Sequence, residues 1–166
     1  MITPTSLRSR LDGPPALRAL WKTLSPLPGG RALFSRAIGR LAPYTGTIDA
    51  RVEELEHGRS VVSMEDRRPV RNHLNSVHAI ALMNLAEMST GLALVSSLPA
   101  GSRSILTGLS IEYLHKARGR LEGRCTCDPP EAVRERLEMV IVGTIHDASD
   151  RVVARAEARW LVGPAR

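Results

Sequence analysis

Between Val77 and Leu98 the chain contains no lysine or arginine, and most of its residues there are apolar. A helix that is apolar on nearly every side must be surrounded along most of its circumference. Lipid or protein can do that, and one residue decides between them. Glu87 sits near the centre of the run, with Asn84, Ser89 and Thr90 around it. Placing that carboxylate alone in a bilayer would cost about 2.5–3.5 kcal/mol. The stretch is therefore expected to be a long helix buried inside a protein fold, and no membrane span is expected.

The rest of the chain supplies the wrapping. In 14-PPALRALWKTL-24, Leu17, Leu20, Trp21 and Leu24 recur at helical spacing, with prolines in the first turn where they are tolerated. A second short amphipathic helix is expected over 30–41 from Leu33, Phe34, Ala37, Ile38 and Leu41, between Gly29-Gly30 and Pro43. Beyond Pro43-Tyr44 the period changes to two. TIDARVEEL alternates Ile48, Ala50 and Val52 with charged residues, and RSVVSME follows a turn at His57-Gly58, which predicts a hairpin.

After the apolar helix and Pro99-Ala100-Gly101 the remaining segments read as strands. The first should carry Ile105, Thr107, Leu109, Ile111 and Tyr113 on one face. Leu121, Gly123, Cys125 and Cys127 share a face of the next, and RLEMVIVGTIHD supplies a third. In the last, Ala154, Ala156, Ala158 and Trp160 oppose Arg155, Glu157 and Arg159. The expected order is two outer helices, a hairpin, the long helix and a four-stranded antiparallel meander. That set predicts an α+β fold, an antiparallel sheet of six strands curled around one helix. Residues 1–43 are expected to form a helical extension packed on a domain spanning 44–166.

At 166 residues the chain can bury the core of one domain. Aromatic residues make up only 3%, which argues against base-stacking nucleic-acid modules. No basic run is long enough to act as a nucleic-acid arm, so no nucleic-acid partner is expected. The formal net charge of +6 comes almost entirely from arginine, with Lys22 and Lys116 the only lysines. Such a field belongs either to solvated faces or to the attraction of an anionic ligand. Cys125 and Cys127 are the only cysteines, too few for a disulfide framework, and fit a reduced cytoplasmic chain. The opening MITPTSLRSRLDGPPALRALW carries charge throughout and no apolar segment, so no secretory signal is expected. Its Arg/Ser character is like that of a transit peptide, but Pro14 and Pro15 interrupt a long amphipathic helix.

The entrance to the long helix, 72-NHLNSVH-78, is as polar as the helix is apolar. Asn75 or Ser76 is the expected cap, and the first N–H groups around His78 and Ala79 then form a partial positive pole. At about 100° per residue, Ile80, Met83, Asn84, Glu87, Gly91 and Leu94 fall within about 60° of a common line. Glu87 thus lies in an apolar stripe, where its charge is disfavoured unless it is paired or hydrated. Either a sheet Ser, Thr or Arg satisfies it, or it is poised for chemistry. His73 and His78 lack a third ligand at a sensible spacing, so no metal is expected.

The intervals in this stretch carry a resemblance. Small hotdog thioesterases of the phenylacetate-pathway type have an Asn, then six residues on the His of an HGG signature, then nine residues on a helical Asp in an L-A-D context. Asn72, His78 and Glu87 stand at those intervals, and the acid follows Leu85-Ala86. LSIEYLHKARG is similar to the family's strand running into "inYLrPArG", and RVVARAEARWLV to its last strand. The resemblance covers 44–162 and is nearest to an uncharacterised branch of the superfamily, whose members also begin with short helices and a Pro-Tyr before the first strand. Two departures stand out. HGG is HAI here, with Ala79 and Ile80 replacing the glycines, and the acid is Glu, as in sister thioesterase groups.

The resemblance implies a hotdog fold and hydrolysis of an acyl-CoA or acyl-carrier thioester, without a cofactor. Glu87 would be nucleophile or general base, the Ala79 N–H at the His78 turn the oxyanion donor, and Asn72 the holder of the water or the acyl carbonyl. Met83 and Gly91 would line the substrate cavity, and Lys116 and Arg118, at the end of the long strand, would meet the CoA phosphates. The alternatives are a non-catalytic acyl-CoA binding or sensing module, and a hotdog dehydratase, whose HFP-type flank and Pro-Gly before the helix are missing. Ala79 and Glu87 are eight residues apart, about 12 Å along a helix. A nucleophile and an oxyanion donor must both lie about 3 Å from the reacting group. A homodimer or dimer of dimers with shared sites is therefore expected.

Overall fold

Prolines and glycines punctuate the start of the chain as expected. In the computed structural model, which describes residues 13–165, helix α1 spans Pro14–Leu24 and α2 spans Gly30–Leu41. They meet edge-to-face through Trp21 and Phe34, with ring centroids 5.0 Å apart. Gly30 is buried against the Leu24 backbone, where a Cβ would collide with the carbonyl. A single turn, α3 (Pro43–Gly46), follows, and there the Gly39 and Gly46 backbones touch. Trp21, Phe34 and Ile38 join the same core as Val52 and Leu85. Most of the stretch read for a secretory signal, and the beginning of the 1–43 segment, lie outside the described residues.

Strands β1 (Arg51–Glu56) and β2 (Arg59–Met64) form the expected hairpin. After a 3-10 turn at Arg68–Val70 come α4 (Ala79–Val95), β3 (Ser102–Tyr113), β4 (Leu121–Thr126), β5 (Leu137–His146) and β6 (Val152–Pro164). The sheet is antiparallel, with strand order β1-β2-β4-β5-β6-β3. The last four strands are therefore not the expected meander. Only β4-β5-β6 is one; β3 lies beyond β6 at the far edge, and β4 pairs with β2. The long helix is the cause. It crosses the concave face and delivers the chain to the opposite edge, so the strand after it starts there.

A second correction concerns β3. A bulge between Leu106 and Gly108 adds one residue, and one extra residue reverses the facing of everything beyond it. Ile105 is 62% exposed on the outer face, while Leu109 and Ile111 pack against the core.

The helix lies close to the sheet because the sheet offers small residues beneath it. A Cβ on Gly123 would stand 3.1 Å from Leu85 Cγ, and one on Gly143 would stand 3.0 Å from Thr90 Cγ2. Leu85, Ala86, Ser89, Thr90, Ala93 and Leu94 are fully buried there. Two hydroxyls under the helix are satisfied locally: Ser60 Oγ donates to the Ser89 carbonyl at 2.6 Å, and Thr90 Oγ1 to the Ala86 carbonyl at 2.9 Å. At the other end of α4, the Arg18 guanidinium donates twice to the Ser96 carbonyl, at 2.9 and 2.7 Å. A cation at a helix C-terminus meets its partial negative charge, which fastens α1 to α4. Among the described residues no helix is long and apolar enough to cross a membrane.

Candidate functional site

The entrance loop uses its polar residues differently from the sequence expectation. Asn72 Oδ1 accepts from Leu74 N at 2.9 Å, from Ser76 N at 3.3 Å and from Ser76 Oγ at 3.2 Å. Asn75 turns the chain with a left-handed φ of 53°, a conformation Asn tolerates. Asn75 and Ser76 are thereby committed to the loop, and neither caps the helix. His78 does. Its backbone is extended, and its Nδ1 accepts from Ile80 N at 3.1 Å, which places the ring proton on Nε2.

That cap leaves one amide over. Ala81 N and Leu82 N donate to the His78 carbonyl, His78 N donates to the Val70 carbonyl, and Ile80 N is taken by the ring. Among the described residues the Ala79 N–H has no acceptor. Ala79 and Asn72 line one groove of about 350 Å³ with Tyr113 and Lys116. The Asn72 Nδ2 donors are also unpaired among the described residues, so this amide shapes the loop with its oxygen and leaves its N–H groups available.

Tyr113 is the residue that sequence reasoning missed. Its hydroxyl donates to the Ala79 carbonyl at 3.1 Å, and burial pushes its phenol pKa up. The available signal was its place in the Tyr-Leu segment of the family-like strand. Arg118 donates through Nε to the Asn75 carbonyl at 3.0 Å, tethering the loop, and is not part of the groove wall. Ile80 is 48% exposed and also outside that wall, so the side chain that replaces the second glycine leaves the groove open.

Glu87 lies elsewhere. Half-buried on α4, it opens into a cleft of about 430 Å³ whose apolar wall includes Leu17 of α1, Ile38 and Leu41 of α2, and Val95. No hydrogen bond or ion pair from a described residue reaches its carboxylate. Burial raises its pKa above the ordinary value. Gly91 shares this cleft, but the Trp160 indole occupies the space it leaves, 3.1 Å from where a Cβ would stand. Met83 is half-buried on the same stripe of α4 and lines neither the groove nor this cleft. Within one chain, then, Asn72, Ala79 and Lys116 come together and Glu87 stands apart with Gly91. Among the described residues no group of three His, Cys, Asp or Glu side chains is placed to hold a metal.

Each half is chemically suggestive. An unpaired carboxylate whose charged form burial disfavours is a stronger proton acceptor than an ordinary one, and a free amide at a helix N-terminus can receive developing negative charge. Comparison with known proteins gives the context. A crystal structure of a structural-genomics target is 33% identical with a TM-score of 0.77, over 90% of this chain and 99% of that one. A probable thioesterase from Pseudomonas aeruginosa is 22% identical with a TM-score of 0.71, over 83% of this chain and 97% of its own. A thioesterase family protein from Silicibacter pomeroyi is 18% identical with a TM-score of 0.67, over 79% and 96%. No curated protein matches the chain. The family model for a domain of unknown function, DUF4442, matches residues 30–162. The chain has the hotdog fold of the thioesterase structures and belongs to the DUF4442 family.

Proposed function

We propose that the protein hydrolyses acyl-CoA-type thioesters at sites shared between two chains, with Glu87 from one and Ala79 and Asn72 from the other. The observation that carries this reading is Glu87 itself, a carboxylate without a described partner, its pKa raised, at the edge of an apolar cleft.

In the proposed reaction Glu87 takes a proton from water, and the oxygen of that water attacks the thioester carbonyl carbon. The negative charge that forms on the carbonyl oxygen is met by the partner subunit's Ala79 N–H, which the His78 cap leaves without an acceptor among the described residues. The partner subunit's Asn72 holds the water or the carbonyl. The C–S bond then breaks, Glu87 returns the proton to the leaving sulfur, and a carboxylic acid and a thiol depart. Direct attack by the carboxylate, through an anhydride that water opens, uses the same groups. The acyl group extends along the apolar wall of the Glu87 cleft, and Met83 packs against the second chain.

Complementation tests the sharing. Ala79→Pro removes the free N–H at small structural cost: Ala79 is the first helical residue, where proline is tolerated, and the extended His78 backbone suits a following proline. Ala79→Pro and Glu87→Ala homodimers should both be inactive. In a hybrid dimer one site carries both changes and the other carries neither. Random mixing should restore about a quarter of the wild-type activity per chain, because half the dimers are hybrid with one intact site each. Folded homodimers that exchange without regaining activity, or an active monomer, would defeat the shared site.

A further inference from the structure

A third and larger cleft, about 950 Å³, runs between α2 and the β1–β2 hairpin. Arg36, Arg40, Arg51 and Arg120 line it together with the carboxylates of Asp49 and Glu65. Those carboxylates have cationic neighbours already, Arg67 at 3.7 Å from Asp49 and Arg120 at 3.7 Å from Glu65. Arg36 and Arg40 are in a different position. They stand one turn apart on the same helix, exposed, and neither forms a hydrogen bond or ion pair with any described residue. Like charges at that spacing repel. A bound polyanion would relieve the repulsion and use both guanidinium forks.

The second observation is continuity. Thr45 and Met88 line both this cleft and the one that holds Glu87. The two clefts therefore adjoin at these residues, with the arginine pair on one side and the Glu87 carboxylate and its apolar wall on the other. Cations at one end, a carboxylate midway and an apolar lining at the other match the order of parts in an acyl thioester carried on a nucleotide.

We propose that the cleft between α2 and the hairpin binds the nucleotide phosphates of the thioester's carrier group, with Arg36 and Arg40 as the phosphate ligands. The identity of the acyl tail rests on the thioesterase reading; the anion site rests on the cleft. The size fits a small polyanion, since ligand pockets run from about 300 to 1,000 Å³. A convex carrier protein would need an open face. The assignment moves the phosphates away from Lys116 and Arg118, the second of which is engaged by the Asn75 carbonyl.

The test uses adenosine 3′,5′-bisphosphate, which carries phosphates but no thioester, titrated calorimetrically into the full chain. Wild-type protein should bind it with an affinity that falls as salt rises. Arg36→Gln/Arg40→Gln should weaken binding by about tenfold or more and flatten the salt dependence, because two charge-assisted contacts are lost. Arg36→Lys/Arg40→Lys should recover part of the affinity, since charge returns without the fork. Lys116→Gln/Arg118→Gln should bind as wild type. Glu87→Gln should also bind as wild type, so a protein that binds the bisphosphate and hydrolyses nothing would retain this site and lose the thioesterase reading. The proposal is overturned if wild-type protein does not bind the bisphosphate, or if folded Arg36→Gln/Arg40→Gln protein binds it unchanged. Loss of binding in the Lys116/Arg118 variant, or binding of an acidic acyl carrier protein in place of the bisphosphate, would overturn it as well.

Discussion

Replacing Glu87 by glutamine keeps the side-chain shape and removes its charge, and the expected consequences have opposite signs for activity and stability. Truncating a buried group that holds partners leaves them unsatisfied, at about 1–3 kcal/mol. Glu87 orphans no described residue, so that term is absent. Burial instead disfavours its charged form and raises its folded pKa above the unfolded value. The stability linked to this group is therefore fully present below the unfolded pKa and is lost as pH rises through the folded one. Neutral glutamine escapes that loss. Glu87→Gln should melt no lower than wild type at neutral pH, and any advantage should vanish below the ordinary carboxylate range. Activity should fall by about 10²–10⁴-fold, the contribution typical of a general base. Thermal melts at pH 7 and pH 4, with thiol release from a panel of acyl-CoAs, measure both. A variant that melts several degrees lower at pH 7, and whose folded fraction hydrolyses at the wild-type rate, would make Glu87 a structural residue.

Two further outcomes follow from the packing and from the loop. Gly123→Ala should lower the urea midpoint by an amount equivalent to about 1–3 kcal/mol, because the added methyl would meet Leu85 Cγ at 3.1 Å, Ser89 Oγ at 3.2 Å and the Leu85 carbonyl at 3.3 Å. A midpoint at or above wild type would show that α4 can move off the sheet. Asp66 accepts from Arg71 at 2.6 Å and from Gly119 N at 3.1 Å; burial pushes its carboxyl up, but these donors outweigh it and hold its pKa below the ordinary value. A depressed folded pKa means stability present above the unfolded pKa and lost as pH falls through the folded one. Asp66→Asn should therefore be less stable than wild type at neutral pH, with the difference closing on acidification. Urea midpoints at pH 7 and pH 3 that differ by the same amount would contradict this.

The residues that were legible in the sequence are those whose role depends on local spacing. The apolar run of α4, the alternation of Ala154, Ala156 and Ala158 with charged neighbours, and the place of Glu87 on an apolar stripe all follow from periods of 3.6 or 2. What was not legible depends on partners far along the chain. The bulge near Thr107 answers to the register of β6 and reverses a face that alternation alone would continue. Tyr113 reaches the Ala79 carbonyl across 34 residues of sequence, through a strand order that periodicity does not contain. Propensity favours Asn or Ser over His as a cap, yet the loop consumes Asn75 and Ser76 in closing on Asn72 and leaves the cap to His78.

The same packing bears on Glu87. A sheet Ser, Thr or Arg is one candidate to neutralise it, and Ser102, Arg103 and Ser104 of β3 line its cleft, yet none of them bonds its carboxylate. Ser60 donates to the Ser89 carbonyl at 2.6 Å, Ser63 to Glu53 at 2.7 Å, and Thr90 to the Ala86 and Glu87 carbonyls at 2.9 and 3.2 Å. Arg18 holds the Ser96 carbonyl at the end of α4. These groups satisfy the backbone and leave the carboxylate without a described partner. An acid in that state, in a cleft that Arg103 and Trp160 also line, is available to something that enters it.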